Sequence, residues 1–366
     1  MNVLREQLRQ LPKHPLRRWR RDLMLGLATV VITGMDVTAA ALRRATPPAP
    51  RDRSRTLHVT ERRLVARHED VVALTLAAAD GRPLPGWHPG AHIDVRLPSG
   101  RVRQYSLCGD PDADTYRIAV RRIPDGGGGS VEVHDALPVG ATVTTLGPRN
   151  AFPLTVPGYG SPAERLRFIA GGIGITPILP MVRLADRLGV DWSLIYTGRS
   201  RASLPFLDEL ERFGDRVHVR TDDAGGLPGA EELLGPCPPG TAVYACGPAA
   251  LLTAIRTRLA GRDDVELHFE RFAAPPVVDG RPFSVTVAST GRRIDVGADE
   301  TLLAALNRSG VAAPYSCRQG FCGSCRTRVL SGAVDHRDTL LTDPEREDHM
   351  LICVSRAAGA HLTLDL

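Results

Sequence analysis

"YSCRQGFCGSCRTRV", residues 315 to 329, places three cysteines within nine residues of a 366-residue chain that contains seven. Cys317, Cys322 and Cys325 stand in C-x4-C-x2-C spacing, and Cys353 follows after 27 further residues in "MLICVSRA". Four thiolates so spaced match the ligand set of a plant-type [2Fe–2S] ferredoxin. Gly320 and Gly323 let the backbone fold tightly around a cluster, so that main-chain N–H groups can point at its sulfurs. Structural zinc is a poorer match, because zinc modules usually carry two C-x2-C pairs and one pair is missing here. Disulfides would require an oxidising compartment, and seven cysteines is an odd count.

Outward from the cysteines, "FSVTVAST" and "RRIDVG" read as an opening hairpin. "ETLLAALNRSG" reads as an amphipathic helix stopped at Gly310, and "GAHLTLDL" as a strand that would close the sheet. Residues 281–366 are therefore expected to form a β-grasp, α+β ferredoxin domain. A ferredoxin fused to a longer chain asks for an electron source.

The middle of the chain supplies one. In "RLRFIAGGIGITPILPMVRLADRLG", an apolar strand runs into Gly171, Gly172 and Gly174, and Thr176-Pro177 opens a helix. Glycines at such a turn allow close approach of a pyrophosphate, whose charge the helix N-terminus favours. "WSLIYTGRS", "RVHVRTDD" and "AVYACGP" read as strands, and "ASLPFLDELERFG" and "AALLTAIRTRLA" as helices, giving an α/β parallel-sheet domain over 157–273. In "YACGP", Cys246 stands at a strand end that faces the ligand, where it would contact a nicotinamide ring without acting as an acid or base; an ordinary buried thiol is the competing reading. Arg199 and Arg201 in "TGRSRAS" are candidates to meet a 2′-phosphate or are surface charges.

Upstream, residues 56–156 carry short strand-like runs with Gly/Pro punctuation, the pattern of an antiparallel β-barrel. In "RQYSLCGD", Arg103, Tyr105 and Ser106 offer a cation for phosphate, an aromatic wall and a hydroxyl donor to a flavin ring. Arg121 adds a second cation, and Ser130 with its preceding glycines offers backbone N–H groups to a phosphate.

The ordered set "RQYSL", "AGGIGITP", "YACGP" and "CRQGFCGSC" resembles the phthalate dioxygenase reductase family, which includes vanillate demethylase reductases. The resemblance covers residues 56–366. It implies an NADH-dependent oxidoreductase with FMN, NAD and [2Fe–2S] domains in one chain, NADPH remaining the alternative donor. It implies that Arg103, Tyr105 and Ser106 hold FMN, with Ala119, Val120 and Arg121 lining it and Ser130 near its phosphate. Gly171, Gly172, Gly174 and Thr176 would hold the nucleotide diphosphate, with Cys246 and Gly247 at the nicotinamide. Glu270 and Phe272 in "HFERF" match the segment that passes the flavin. The implied acceptor is an external terminal oxygenase, first a Rieske-type aromatic-ring dioxygenase or O-demethylase, with cytochrome P450 or a stand-alone diaphorase as alternatives.

Two features depart from the family pattern: the run Gly126–Gly129 lacks the basic residue often found there, and residues 1–55 form an extension. That extension holds twelve Lys/Arg against four Asp/Glu, a local +8 against +5 for the whole chain, which leaves the remainder near −3. The body thus carries no nucleic-acid footprint. The apolar run Leu23 to Met35 is 13 residues, short of the ~20 that a spanning helix requires. A helical extension docked on the body, contact with a membrane surface through residues 1–45, and a cleaved signal all remain open readings. The expected location is cytoplasmic, with membrane association through the extension as the variant.

Overall fold

The computed structural model describes residues 54–124, 128–158, 160–272, 277–315, 318–320 and 323–366. The expectations for residues 1–53, Gly126, Ala273, Cys317 and Cys322 lie outside the described residues.

Alternating apolar residues build the first sheet from β1 (Arg55–Ala66), β2 (Val71–Ala78), β3 (Ala91–Arg96), β4 (Val102–Ser106), β5 (Tyr116–Arg121) and β6 (Thr142–Asn150). Its order is β4-β3-β6-β1-β2-β5, and its pairings are antiparallel. The sheet curls so that edge strands β4 and β5 approach each other, and the Cys108 N–H donates to the Arg117 carbonyl across the seam (2.8 Å). Closing a sheet on itself removes its exposed edges. The expected strand alternation fails at "GSVEVHDA", which forms helix α1 (Gly129–Ala136). Gly129, Val133 and Leu137 are buried at four-residue spacing, with His134 beside them, while Val131 is only half-buried, so burial along one helical face overrides the β-like V-x-V pattern.

The second sheet is parallel: β7 (Arg165–Gly171), β8 (Asp191–Gly198), β9 (Val217–Thr221), β10 (Thr241–Cys246) and β11 (Val265–Glu270), in the order β11-β10-β7-β8-β9. Helices α2 (Ile175–Arg187) and α3 (Ala249–Leu259) cover it. β10 is buried along its whole length, as a strand covered on both faces must be. The expected helix over "ASLPFLDELERFG" is broken into a 3-10 turn at Arg201–Ser203, a single α-turn at Leu207–Leu210 and a further 3-10 segment. Pro205 cannot continue a helix from the preceding turn, and Phe206 sits in the left-handed region (φ 63).

One contiguous apolar core joins these two units, running from Val71, Cys108 and Phe152 into Ile178, Met181 and Tyr244. A polar junction reinforces it. Glu209 accepts from both terminal nitrogens of Arg117 (2.7 and 3.0 Å), from Arg63 (3.3 Å) and from Arg183, so that residues of β1, β5 and α2 share one carboxylate. The guanidinium of Arg117 also stacks over Phe206. Such charge-assisted contacts hold the two units in one orientation.

The third sheet has its own core, built on β12 (Phe283–Val287), β13 (Arg292–Val296), α4 (Leu302–Arg308), β14 (Arg326–Ser331), β16 (His349–Leu351) and β18 (His361–Leu364). β15 (Val334–Asp335) and β17 (Arg356–Ala357) make a small separate ladder. The opening hairpin and the helix lie where the sequence puts them, with Thr301 capping α4 through the Ala304 N–H (3.2 Å). The terminal strand does not close an edge. β18 lies in the middle of the order β13-β12-β18-β14-β16, parallel to β12. Among the described residues no helix is long and apolar enough to cross a membrane.

Candidate functional site

Three strand-end loops converge where the barrel meets the parallel sheet. On β4, the Arg103 side chain lies across Gly129, where an added Cβ would sit 2.4 Å from its Nε. The absent side chain is what admits the guanidinium over the first turn of α1. The α1 N-cap, Gly128, is left-handed (φ 77) and no side chain caps the turn, so its first N–H groups and Arg103 together form a cationic corner suited to a phosphate. Tyr105 is half-buried, and the loss of solvent around its phenol pushes it up to about 12 and keeps it neutral.

The other barrel candidates are distributed differently from expectation. Ala119 and Val120 are buried on β5, with the Val120 carbonyl 2.9 Å from His134 Nε2. The Ser130 hydroxyl accepts from the Ile123 N–H (3.0 Å) and donates to the Ile123 carbonyl (3.2 Å), so the side chain pins the preceding loop and only the backbone N–H of Ser130, in the first turn of α1, is left to serve a phosphate. Arg121 pairs with Glu69 (3.1 Å), and Glu69 also pairs with Arg199 (3.0 Å). A single carboxylate thus pairs with both cations, one expected at the flavin and one considered for a 2′-phosphate, and leaves the trio with one net positive charge.

The glycine turn has two functions, not one. A Cβ on Gly174 would lie 2.2 Å from the Cys246 carbonyl oxygen, and one on Gly171 would meet Pro248 Cδ at 2.7 Å. Gly247 is less tight but still close, its added Cβ 3.1 Å from Gly171 Cα. These three glycines therefore let the β7–α2 turn nest against the β10–α3 turn. Gly172 is the exception: its φ is +55 and nothing lies within 4 Å of the built Cβ. Gly172 is the point at which a diphosphate can approach the backbone. Thr176 is buried and its hydroxyl donates to the Ile173 carbonyl (3.0 Å), bracing that turn.

At the mouth of the turn stand Cys246 and Glu270, register partners on β10 and β11. Both are buried. Burial, and then Glu270, push the Cys246 thiol well above its ordinary range, so it is held neutral and is not a nucleophile. Burial also raises the Glu270 carboxyl to about 8, offset in part by a hydrogen bond with Ser106 from the barrel. Its Oε2 is buried with no hydrogen-bond partner, an orphan polar atom of the kind a bound group would satisfy. Two residues on, Phe272 exposes 46% of its surface.

In the third domain, Cys325 and Cys353 are 2% and 1% exposed at the ends of neighbouring segments, linked by the Ile352 N–H to the Cys325 carbonyl (3.4 Å). Gly320 and Gly323 are left-handed (φ 80 and 74), and added Cβ atoms would collide with Val354 and Leu340 at 2.6 and 2.9 Å. The loop around them thus requires glycine at both places. Sequence reading gave no weight to Gln104, Arg318 or Gln319, yet Arg318 reaches Gln104 on β4 (3.4 Å) and Gln319 Nε2 donates to the Arg271 carbonyl (3.1 Å). The available signal was an Arg-Gln pair set between a cysteine and a glycine that must be left-handed.

Comparison with known proteins agrees with this layout. Residues 285–358 match the family model described as the 2Fe-2S iron-sulfur cluster binding domain. The chain is 43% identical to the phenoxybenzoate dioxygenase subunit beta of Ectopseudomonas oleovorans over 305 residues, covering 81% of this chain and 93% of that one. It superimposes on the solved phthalate dioxygenase reductase, described as a modular structure for electron transfer from pyridine nucleotides to [2Fe-2S], with a TM-score of 0.65 and 35% identity over 86% of this chain and 98% of that one. It also matches full-length cytochrome P450 CYP116B46 of Tepidiphilus thermophilus (TM-score 0.64, 40% identity), covering 89% of this chain but only 44% of that longer one.

Proposed function

This chain belongs to the phthalate dioxygenase reductase family, and from that premise we propose that it delivers electrons from NADH to a Rieske-type oxygenase acting on an aromatic ring or methoxy-aromatic compound. It is an NAD(P)H-dependent oxidoreductase with FMN, NADH and a [2Fe–2S] cluster as its cofactors. The observation that carries the reading is the end of β11: Glu270 meets Ser106 of the barrel and neighbours Cys246, while the next residue, Arg271, accepts from Gln319 of the cysteine loop. One strand end touches all three domains.

The residues present fit these groups. Arg103 and the uncapped first turn of α1 would hold the flavin phosphate, Tyr105 and Phe272 would flank its ring, and Gly172 would admit the nucleotide diphosphate. Cys325 and Cys353, with Cys317 and Cys322, would ligate the irons. The chemistry supplied is conversion of a two-electron donor to a one-electron source: NADH loses a hydride, one proton reaches solvent, and two electrons leave singly to two one-electron acceptors. Ser106 and Glu270 orient the reacting rings, and the buried wall of Cys246 excludes water from them.

Glu270 makes the site pH-sensitive. A carboxyl raised to about 8 is neutral at pH 7 and becomes a buried anion above that value. An anion there opposes transfer of negative hydride to its neighbour. Flavin bleaching by NADH is therefore expected to be flat below pH 8 and to fall above it, approaching roughly tenfold per pH unit. In Glu270→Gln it should stay flat through pH 9, as stopped-flow absorbance across the range would establish. An unchanged downturn in the variant would assign it to another group.

Anaerobic titration of the purified protein with NADH and then NADPH, followed by optical and EPR spectra, tests the whole reading. Bleaching of a flavin with NADH followed by a reduced [2Fe–2S] signal supports it, and bleaching with no cluster signal returns the diaphorase reading. A cytochrome P450 acceptor is the second reading, favoured by the 40% identity to the matching part of a P450 chain. Reconstitution with purified Rieske and P450 acceptors separates the two.

A further inference from the structure

Arg318 and Gln319 occupy the loop between the first cluster cysteine and Gly320, a place where small residues would be enough for the fold. Both instead reach out of their own domain. Arg318 holds a left-handed backbone (φ 56) that is costly for a residue with a side chain. Its guanidinium lies over Tyr315 (5.7 Å) and donates to Gln104 Oε1 on β4 (3.4 Å). Gln104 is fixed in turn, since its Nε2 donates to Asp94 Oδ1 (3.1 Å), whose second oxygen accepts from Arg149 (2.6 Å). The receiving surface is therefore built before the loop arrives. Gln104 directly precedes Tyr105, the flavin wall, and Arg271, which receives Gln319, directly follows Glu270.

The rest of this junction is loosely filled. A cavity of about 680 Å³ separates Phe269 and Arg256 of the nucleotide domain from Val354 and Cys353 of the ferredoxin domain. Dense apolar packing, of the kind that fuses the barrel with the parallel sheet, is not what orients the cysteine loop on this side.

We propose that Arg318 and Gln319 are positioning residues that clasp the cluster loop to the flavin strand, and that this clasp sets the rate at which single electrons pass from the flavin site to the cluster. The inference rests on the reductase reading above and deepens it. Neither residue takes part in hydride transfer, and none of the cysteine ligands is altered by replacing them. The clasped state is favoured by hydrogen bonds to a charged or amide donor, each capable of shifting an equilibrium by about tenfold.

Single-turnover reduction of the holoenzyme by NADH tests this, with flavin bleaching and the cluster signal recorded separately. Arg318→Ala and Gln104→Ala should each leave flavin bleaching within about twofold of wild type, keep full iron and labile sulfide, and slow cluster reduction by about tenfold. The double variant should be no slower than either single one, because both remove the same contact. In the oxidised protein, hydrogen exchange at residues 102–106 and 267–271 should rise in Arg318→Ala, a readout independent of turnover. Wild-type rates of cluster reduction in both single variants, or additive losses in the double one, overturn the clasp. If Arg318→Ala loses iron, Gln104→Ala, which lies outside the cluster loop, decides the matter alone. Failure of NADH to reduce any cluster in the wild type would instead overturn the reductase reading.

Discussion

Cys325→Ser is expected to abolish reduction of cytochrome c by NADH, a loss of at least about a hundredfold, while NADH still bleaches the flavin at close to the wild-type rate. A serine hydroxyl lacks the readily formed anion that makes a thiolate an iron ligand. Cys325 is 2% exposed within the core that includes Cys353, Met350 and Ile352, so the altered side chain has no solvent-facing alternative. The hydride site proposed above would be assembled without it, from Ser106, Cys246 and Glu270, which meet in the other two domains. Metal analysis with stopped-flow absorbance checks the result: iron and labile sulfide fall and fast flavin bleaching persists. Loss of both activities from a folded, flavin-replete variant would mean that the two centres are not separable.

Gly174→Ala should have the opposite signature. The added methyl would stand 2.2 Å from the Cys246 carbonyl oxygen, 2.6 Å from its carbon and 2.9 Å from the Gly247 nitrogen. All three are backbone atoms and none can rotate away, so one of the two nested turns must shift by the better part of an ångström. Displacement on that scale at a reacting centre costs about a hundredfold. NADH-driven flavin bleaching should drop by that order, while dithionite still reduces flavin and cluster. Gly172→Ala provides the contrast in folding, because open space surrounds its Cβ and the stability penalty is that of the left-handed backbone alone, about 1–2 kcal/mol, so any slowing of bleaching there would come from a methyl in the path proposed for the diphosphate and not from displaced turns. If Gly174→Ala bleached at the wild-type rate, the nesting of the two turns would be irrelevant to the nicotinamide site.

The two variants probe different halves of the electron path, and each is blind to the other half. The distinction follows from architecture. The barrel and the parallel sheet share one apolar core and the Glu209 junction, whereas the ferredoxin domain keeps a core of its own. A defect in the cluster therefore leaves the hydride site standing. The Glu270 titration is confined in the same way to the first half, since its carboxyl is buried against Ser106 and Cys246.

Which cofactors this chain carries, and their order along it, was legible before any fold was known. The three-cysteine loop, a glycine-rich strand-to-helix turn and an Arg-x-Tyr-Ser strand are contiguous patterns, each readable within one short segment. Contiguity is what makes such chemistry legible. Folding in three dimensions is what makes the Ser130 hydroxyl close a loop, brings Arg121 and Arg199 to the one carboxylate of Glu69, and gives Gly171 and Gly174 to the nesting of two turns while leaving open space at Gly172. It also decided the helix at Gly129–Ala136, the central place of the last strand, and the meeting of Ser106 with Glu270 and of Gln104 with Arg318. Those contacts join residues far apart in the chain, brought together by the curl of one sheet and the strand order of the others. No local periodicity or spacing encodes them, because the forces that select them act between surfaces that exist only after each domain has folded.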